Sequence, residues 1–199
     1  MLAIEQRLLD YIFINEGGFA NVKGDAGGKT RFGVTERLAR AYYYTGPMED
    51  LPQDRAAAIL LHEYWYCTWA QIEDRERLAI KLCDTQMNMP PAEGVKIAQR
   101  AVNNVIRAQQ AIAVDPDALP PPLGEDGCFG ALTVAALLHP LLPEGALLRE
   151  CCLEQERHYE FLEQHYANDV QFTNGWRNRA FRIPDEKGGA TCLSTGSLS

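Results

Sequence analysis

Cations are scarce in this chain. Among 199 residues, 19 Lys and Arg stand against 27 Asp and Glu, for a formal charge of −8 and a pI near 5.0. Counterion release needs clustered positive charge, so no nucleic-acid partner is expected. No run approaches the roughly 18–20 apolar residues of a membrane-spanning helix, so a soluble protein without membrane insertion is expected. The opening Met1-Leu2-Ala3-Ile4-Glu5 has neither the charged n-region nor the apolar h-region of a secretory signal. Synthesis in the cytoplasm without a signal peptide is the corresponding expectation. Six cysteines are too sparse for a disulfide scaffold, and no CxxC pair supports a zinc site. Cys192, in a Ser/Gly/Thr-rich tail, is expected to be exposed.

Three familiar catalytic patterns are also missing. There is no GxSxG elbow. His62-Glu63 begins an HExxH pattern, but Tyr66 stands where the second His belongs. The run ending Gly28-Lys29-Thr30 resembles a phosphate loop, but Lys23 occupies the position of its first glycine.

What the chain does have is helical periodicity. Residues 3–15 place Ile4, Leu8, Tyr11 and Ile12 on one stripe, with Gly17-Gly18 as a stop. Glycines at 24, 27, 28 and 33 exclude a helix over residues 19–34, where Phe19–Val22 and Arg31–Val34 are expected to pair as a small hairpin. Thr35 is a natural N-cap for a helix to about Tyr44, and Pro52 opens another to about Trp65. Further helices are expected near 77–88, 92–114, 130–138, 144–166 and 175–181. Residues 115–127, with Pro116, Pro120, Pro121 and Pro122, read as an extended loop, and the chain beyond about Pro184 as mobile. Pro90-Pro91 is the one domain boundary that composition suggests.

Chemistry concentrates in residues 15–35. Glu16 follows the first helix, where the negative end of the macrodipole disfavours an ionised carboxylate and raises its pKa, as a general acid requires. Asp25 and Thr30 come nine and fourteen residues later, and a hairpin folded back on the helix end gathers all three around one cavity. The alternative is a solvated helix-end Glu beside a Gly-rich turn. Tyr64-Trp65-Tyr66 is suited either to stacking on sugar faces or to the core. Asp84 and Asn88, four apart on one helix face, suit either a cleft or a neighbouring loop. The segment Asn174-Gly-Trp-Arg-Asn-Arg179 reads as a substrate contact or as a helix cap with a buried Trp.

Together these residues resemble the glycoside hydrolase 108 family of peptidoglycan muramidases. The family's Glu-Gly-Gly-aromatic element is matched by Glu16-Gly17-Gly18-Phe19. Its Asp-x-Gly-Gly-x-Thr-x-x-Gly-(Ile/Val)-Thr element is matched by Asp25 to Thr35. Tyr64-Trp65, Asp84-Thr-Gln-Met-Asn88, Gln99-Arg100-Ala101, Asp126-Gly-Cys-Phe-Gly-Ala-Leu-Thr133 and Gly175-Trp176-Arg177-Asn178-Arg179 are similar to its later motifs, in order. Ala131 departs from the usual Pro, and Met89-Pro90 from the usual turn after Asn88.

The resemblance implies a mainly α, lysozyme-like fold of two helical lobes with a small β-hairpin at the active site. It implies a catalytic half over 1–90, a peptidoglycan-binding half over 91–183 and a flexible tail over 184–199. Glu16, Asp25 and Thr30 would be catalytic; Trp65, Asp84, Asn88, Trp176 and Arg177 would bind substrate. No metal or organic cofactor would be needed. The implied substrate is the β-1,4 bond between N-acetylmuramic acid and N-acetylglucosamine, cleaved in the periplasm or cell wall by a monomer. A holin, a secretion system, or an inhibitor or immunity protein is the kind of partner such a role would bring in. Two other readings stay open at this point: a non-catalytic peptidoglycan-binding or secretion-apparatus protein, and a lytic transglycosylase.

Overall fold

Leu8, Tyr11 and Ile12 of the expected stripe are buried on one side of the first helix together with Leu9, while Ile4 is half-buried. The structure is a computed structural model and describes residues 1–15, 29–165, 178–185 and 189–192. It divides into two compact units, Met1–Ala70 and Gln71–Ser199.

In the first unit, α1 (Ala3–Asn15) is followed by a two-stranded antiparallel ladder. β1 (Thr30–Arg31) pairs with β2 (Val34–Thr35) in the register Thr30↔Thr35 and Arg31↔Val34. The sequence suggested one strand over Arg31–Val34, yet this stretch folds back on itself. Phe32 and Gly33 both have positive φ, 51° and 77°, and so make a two-residue turn. The strand partner expected at Phe19–Val22 lies outside the described residues. Thr35 then caps α2 (Glu36–Ala41), its hydroxyl accepting from the Leu38 amide at 3.2 Å. α2 stops short of Tyr44, because the Arg40 guanidinium bonds the carbonyls of Tyr44 and Gly46 and turns the chain. α3 (Gln53–Leu60) starts after Pro52 as expected, then widens into a π-helical turn over Leu61–Tyr66. Such a turn inserts one extra residue, a feature that apolar periodicity does not reveal.

The second unit contains α4 (Glu76–Met87), α5 (Pro91–Gln110), α6 (Ala131–Leu137) and α7 (Glu144–His165). Pro90 and Pro91 lie inside this unit, Pro91 as the first residue of α5. Val95, Ala98, Val102 and Val105 of α5 are buried, as are Leu148, Cys151 and Cys152 of α7, the helix α5 packs against. The proline-rich loop is held down by α5. Asn103 bonds both the amide and the carbonyl of Leu123, and Gln99 bonds Asp126, Gly127 and Cys128.

Residues past Pro184 were expected to be mobile. Instead β3 (Arg182–Pro184) pairs with β4 (Ala190–Cys192), tied further by Arg77 Nε donating to the Pro184 carbonyl at 2.9 Å. Cys192 is exposed, and all six thiols are free. Among the described residues no helix is long and apolar enough to cross a membrane. The mainly helical class with a small antiparallel element, expected from the sequence, is the one observed.

Candidate functional site

The site is built from the first unit outward. Thr30 opens β1, half-buried, and its hairpin is anchored to α2 by the Glu36 amide bonding the Lys29 carbonyl at 2.8 Å. The turn residue Phe32 meets Phe13 edge-to-face, with ring centroids 5.8 Å apart and planes at 64°. Phe13 belongs to the last turn of α1, so the Thr30 hairpin rests on the end of the helix that leads into Glu16. Glu16 itself, Asp25, Trp176 and Arg177 lie outside the described residues.

The hairpin carries two cations, Lys29 and Arg31. Lys29 pairs with Glu49 at 3.7 Å. The Arg31 guanidinium lies 5.0 Å from the Phe32 ring centre. The Glu49 carboxyl is held below the usual carboxylate range, first by its own backbone N–H and then by Lys29 and Arg31.

The π-helical turn holds elements on both sides of this hairpin. Tyr66 donates to Glu5 of α1 at 2.9 Å, which raises the Tyr66 pKa through burial and the neighbouring carboxylate. The Tyr42 hydroxyl, at the end of α2, lies 2.8 Å from both Glu63 Oε2 and His62 Nδ1. One hydroxyl proton serves one acceptor. With Glu63 accepting it, His62 Nδ1 is the donor to the Tyr42 oxygen. His62-Glu63, which failed as a zinc motif, is thus a clasp on α2. Among the described residues no cluster of three or more His, Cys, Asp or Glu is placed to hold a metal.

The candidates for substrate contact divide sharply by burial. Trp65 is 1% exposed and Asp84 is 0% exposed, so neither side chain reaches a surface. Trp65 sits in the π-helical turn. Asp84 instead accepts from Arg179 at 2.9 Å, while Lys81, one turn earlier on α4, donates to the carbonyls of Arg179 and Ala180. Asn88 is exposed at the end of α4, its amide donating to the Asp84 carbonyl at 2.7 Å. Lys81 was missed by the sequence reading. Its spacing from Asp84 on one helix face was the available signal.

Residues 9–89 match the model of the glycosyl hydrolase 108 family. The match covers 81 of the 199 residues. No curated protein matches the chain. Among solved structures, that of Brucella abortus SagA aligns with a TM-score of 0.60 over 88% of this chain and 92% of that one, at 19% identity. The likeness is one of fold.

The matched segment contains Glu16, Asp25, Thr30, Trp65, Asp84 and Asn88. Gln99-Arg100-Ala101 and Asp126 to Thr133 fall beyond the segment, and the fold gives them a joint structural role. The Gln99 amide donates to Asp126 Oδ1 at 2.8 Å and accepts from the Gly127 amide at 3.0 Å.

Proposed function

We propose that this protein is a glycoside hydrolase, an N-acetylmuramidase (lysozyme) acting on the β-1,4 bond between N-acetylmuramic acid and N-acetylglucosamine in peptidoglycan. In this reading Glu16 protonates the glycosidic oxygen as the bond breaks through an oxocarbenium-like state. Asp25 and Thr30 hold and activate a water on the opposite face of the sugar, so the product is inverted. The observation that carries the reading is the Phe13–Phe32 contact, which lays the Thr30 hairpin against the last turn of α1, immediately before Glu16 in the chain. The family match over the same residues supports the reaction class.

The remaining assignments follow from this one. Residues 1–90 act in catalysis, and 91–183 in binding glycan strands through Trp176 and Arg177 with Asn88. Trp65, being buried, serves in packing, and Asp84 by holding Arg179. The protein acts as a monomer in the periplasm or cell wall, as an endolysin released by a holin or as a secretion-associated enzyme.

Treatment of purified sacculi with the wild type and Glu16→Gln, followed by mass spectrometry, tests the reading. The wild type should release reducing muropeptides, and Glu16→Gln should lose at least about 100-fold in rate with its melting temperature retained. Anhydro products would make the enzyme a lytic transglycosylase instead. Sacculi bound by the wild type with nothing released would make it a binding protein. Full activity in Glu16→Gln would remove Glu16 from the mechanism.

A further inference from the structure

A two-residue hairpin turn of type I′ has positive φ at both central positions, and Asn-Gly or Asp-Gly adopts it most readily. Gly33 meets that demand with φ 77°. Phe32 holds φ 51°, a left-handed conformation that bulky side chains rarely take. The turn itself has no use for a phenyl ring.

The ring has contacts on the α1 side and on its own strand. Its edge-to-face neighbour is Phe13, 5.8 Å away between centroids, in the last turn of α1. The Arg31 guanidinium carbon stands 5.0 Å from its centre. Aromatic pairs of this geometry resist sliding, because displacement loses the alignment of ring edge and ring face. The other ties of the hairpin lead to α2, through the Lys29 carbonyl and the Thr35 cap, to Glu49, through Lys29, and to α3, which packs against β2. Phe32 therefore joins the element carrying Thr30 to the helix that leads into Glu16.

We infer that Phe32 is a positioning residue for the reaction: its ring, kept in place at the cost of a left-handed backbone, seats the Thr30 hairpin on the end of α1. This rests on the reading that Glu16 and Thr30 serve one hydrolytic step. Seating of this kind acts on the chemical step more than on substrate affinity, since small misplacements of reacting groups cost rate steeply.

Phe32→Gly separates the ring from the backbone, because glycine adopts φ 51° without strain. It should retain the wild-type melting temperature within a few degrees, while kcat for muropeptide release falls about 10- to 100-fold and KM changes less than about twofold. Phe32→Tyr, which keeps the ring, should restore kcat to within about twofold of wild type. If Phe32→Gly melts early, Phe13→Leu serves instead, since it keeps the apolar volume and removes the partner ring; the same kcat-selective loss is expected.

Wild-type kcat in a folded Phe32→Gly or Phe13→Leu overturns the inference. So does a Phe32→Tyr as slow as Phe32→Gly. Glu16→Gln is assayed alongside. If it is fully active the proposed mechanism fails on its own account, whereas an inactive Glu16→Gln with an unimpaired Phe32→Gly refutes only the role of Phe32.

Discussion

Asp84 and Arg179, 95 residues apart in sequence, form an ion pair of 2.9 Å in the second unit, with the Asp84 side chain fully buried. Asp84 Oδ1 carries the contact, and Oδ2 has no hydrogen-bond partner among the described residues. Lys81 adds bonds of 3.0 and 2.9 Å to the carbonyls of Arg179 and Ala180. One residue from each of two sequence motifs read as separate substrate contacts thus belongs to an internal connection.

Removing one partner of a buried pair leaves the other charge uncompensated. Asp84→Asn should destabilise the second unit by about 3–5 kcal/mol. Replacing both partners, as Asp84→Leu with Arg179→Met, should cost far less, because no charge remains to be desolvated. Urea unfolding of the single and double variants measures the difference. Equal losses in both would show that the pair contributes through shape rather than charge.

Gly127 gives a second prediction. Its φ is 77°, and a Cβ built there would stand 2.7 Å from the carbonyl oxygen of Ala92. Gly127→Ala should therefore cost about 2 kcal/mol or more, through both the left-handed backbone and the clash with main-chain atoms. Gly145 is the control: a Cβ at that position in α7 meets nothing within 4 Å. Gly145→Ala should be neutral or stabilising by about 0.5–1 kcal/mol. Thermal melts of both variants decide this, and equal behaviour would deny the packing argument at Gly127.

Much of the fold was legible because helix signals are local. The stripe in α1, the Thr35 cap, the Pro52 and Pro91 starts and the proline-rich loop each need only a few neighbouring residues to be recognised. The turn at Phe32-Gly33 was not legible, since a phenylalanine argues against the left-handed conformation it adopts; only the contact with Phe13 explains it. The β3–β4 ladder was hidden for a related reason. Its composition is that of a tail, and one of its ties runs to Arg77, more than a hundred residues away. Among the site candidates, residue type identified Asp84 and Trp65, but burial is a tertiary property. Period and spacing place a side chain on a helix face without saying whether that face meets water, a ligand or an arginine from the far end of the chain.

Tyr42 yields a prediction in pH. Its pKa is pushed up to about 12, first by loss of solvent and then by its hydrogen bond to Glu63 and that carboxylate's charge. A phenol that ionises later when folded than when unfolded favours the folded state while it remains protonated. The stabilisation is complete below the ordinary tyrosine value near 10 and is lost as pH rises through about 12. Ionisation also removes the proton that Tyr42 donates to Glu63, so the clasp between α2 and the π-helical turn opens in the same range. Phe at this position has no proton to lose. Tyr42→Phe should remove one late step from the alkaline ultraviolet titration and flatten the fall in stability between about pH 10 and 12. Loss of a step near pH 10, with the late step intact, in Tyr42→Phe would mean that the late-ionising phenol is another tyrosine, and that Glu63 does not hold Tyr42 in solution as it does in the structure.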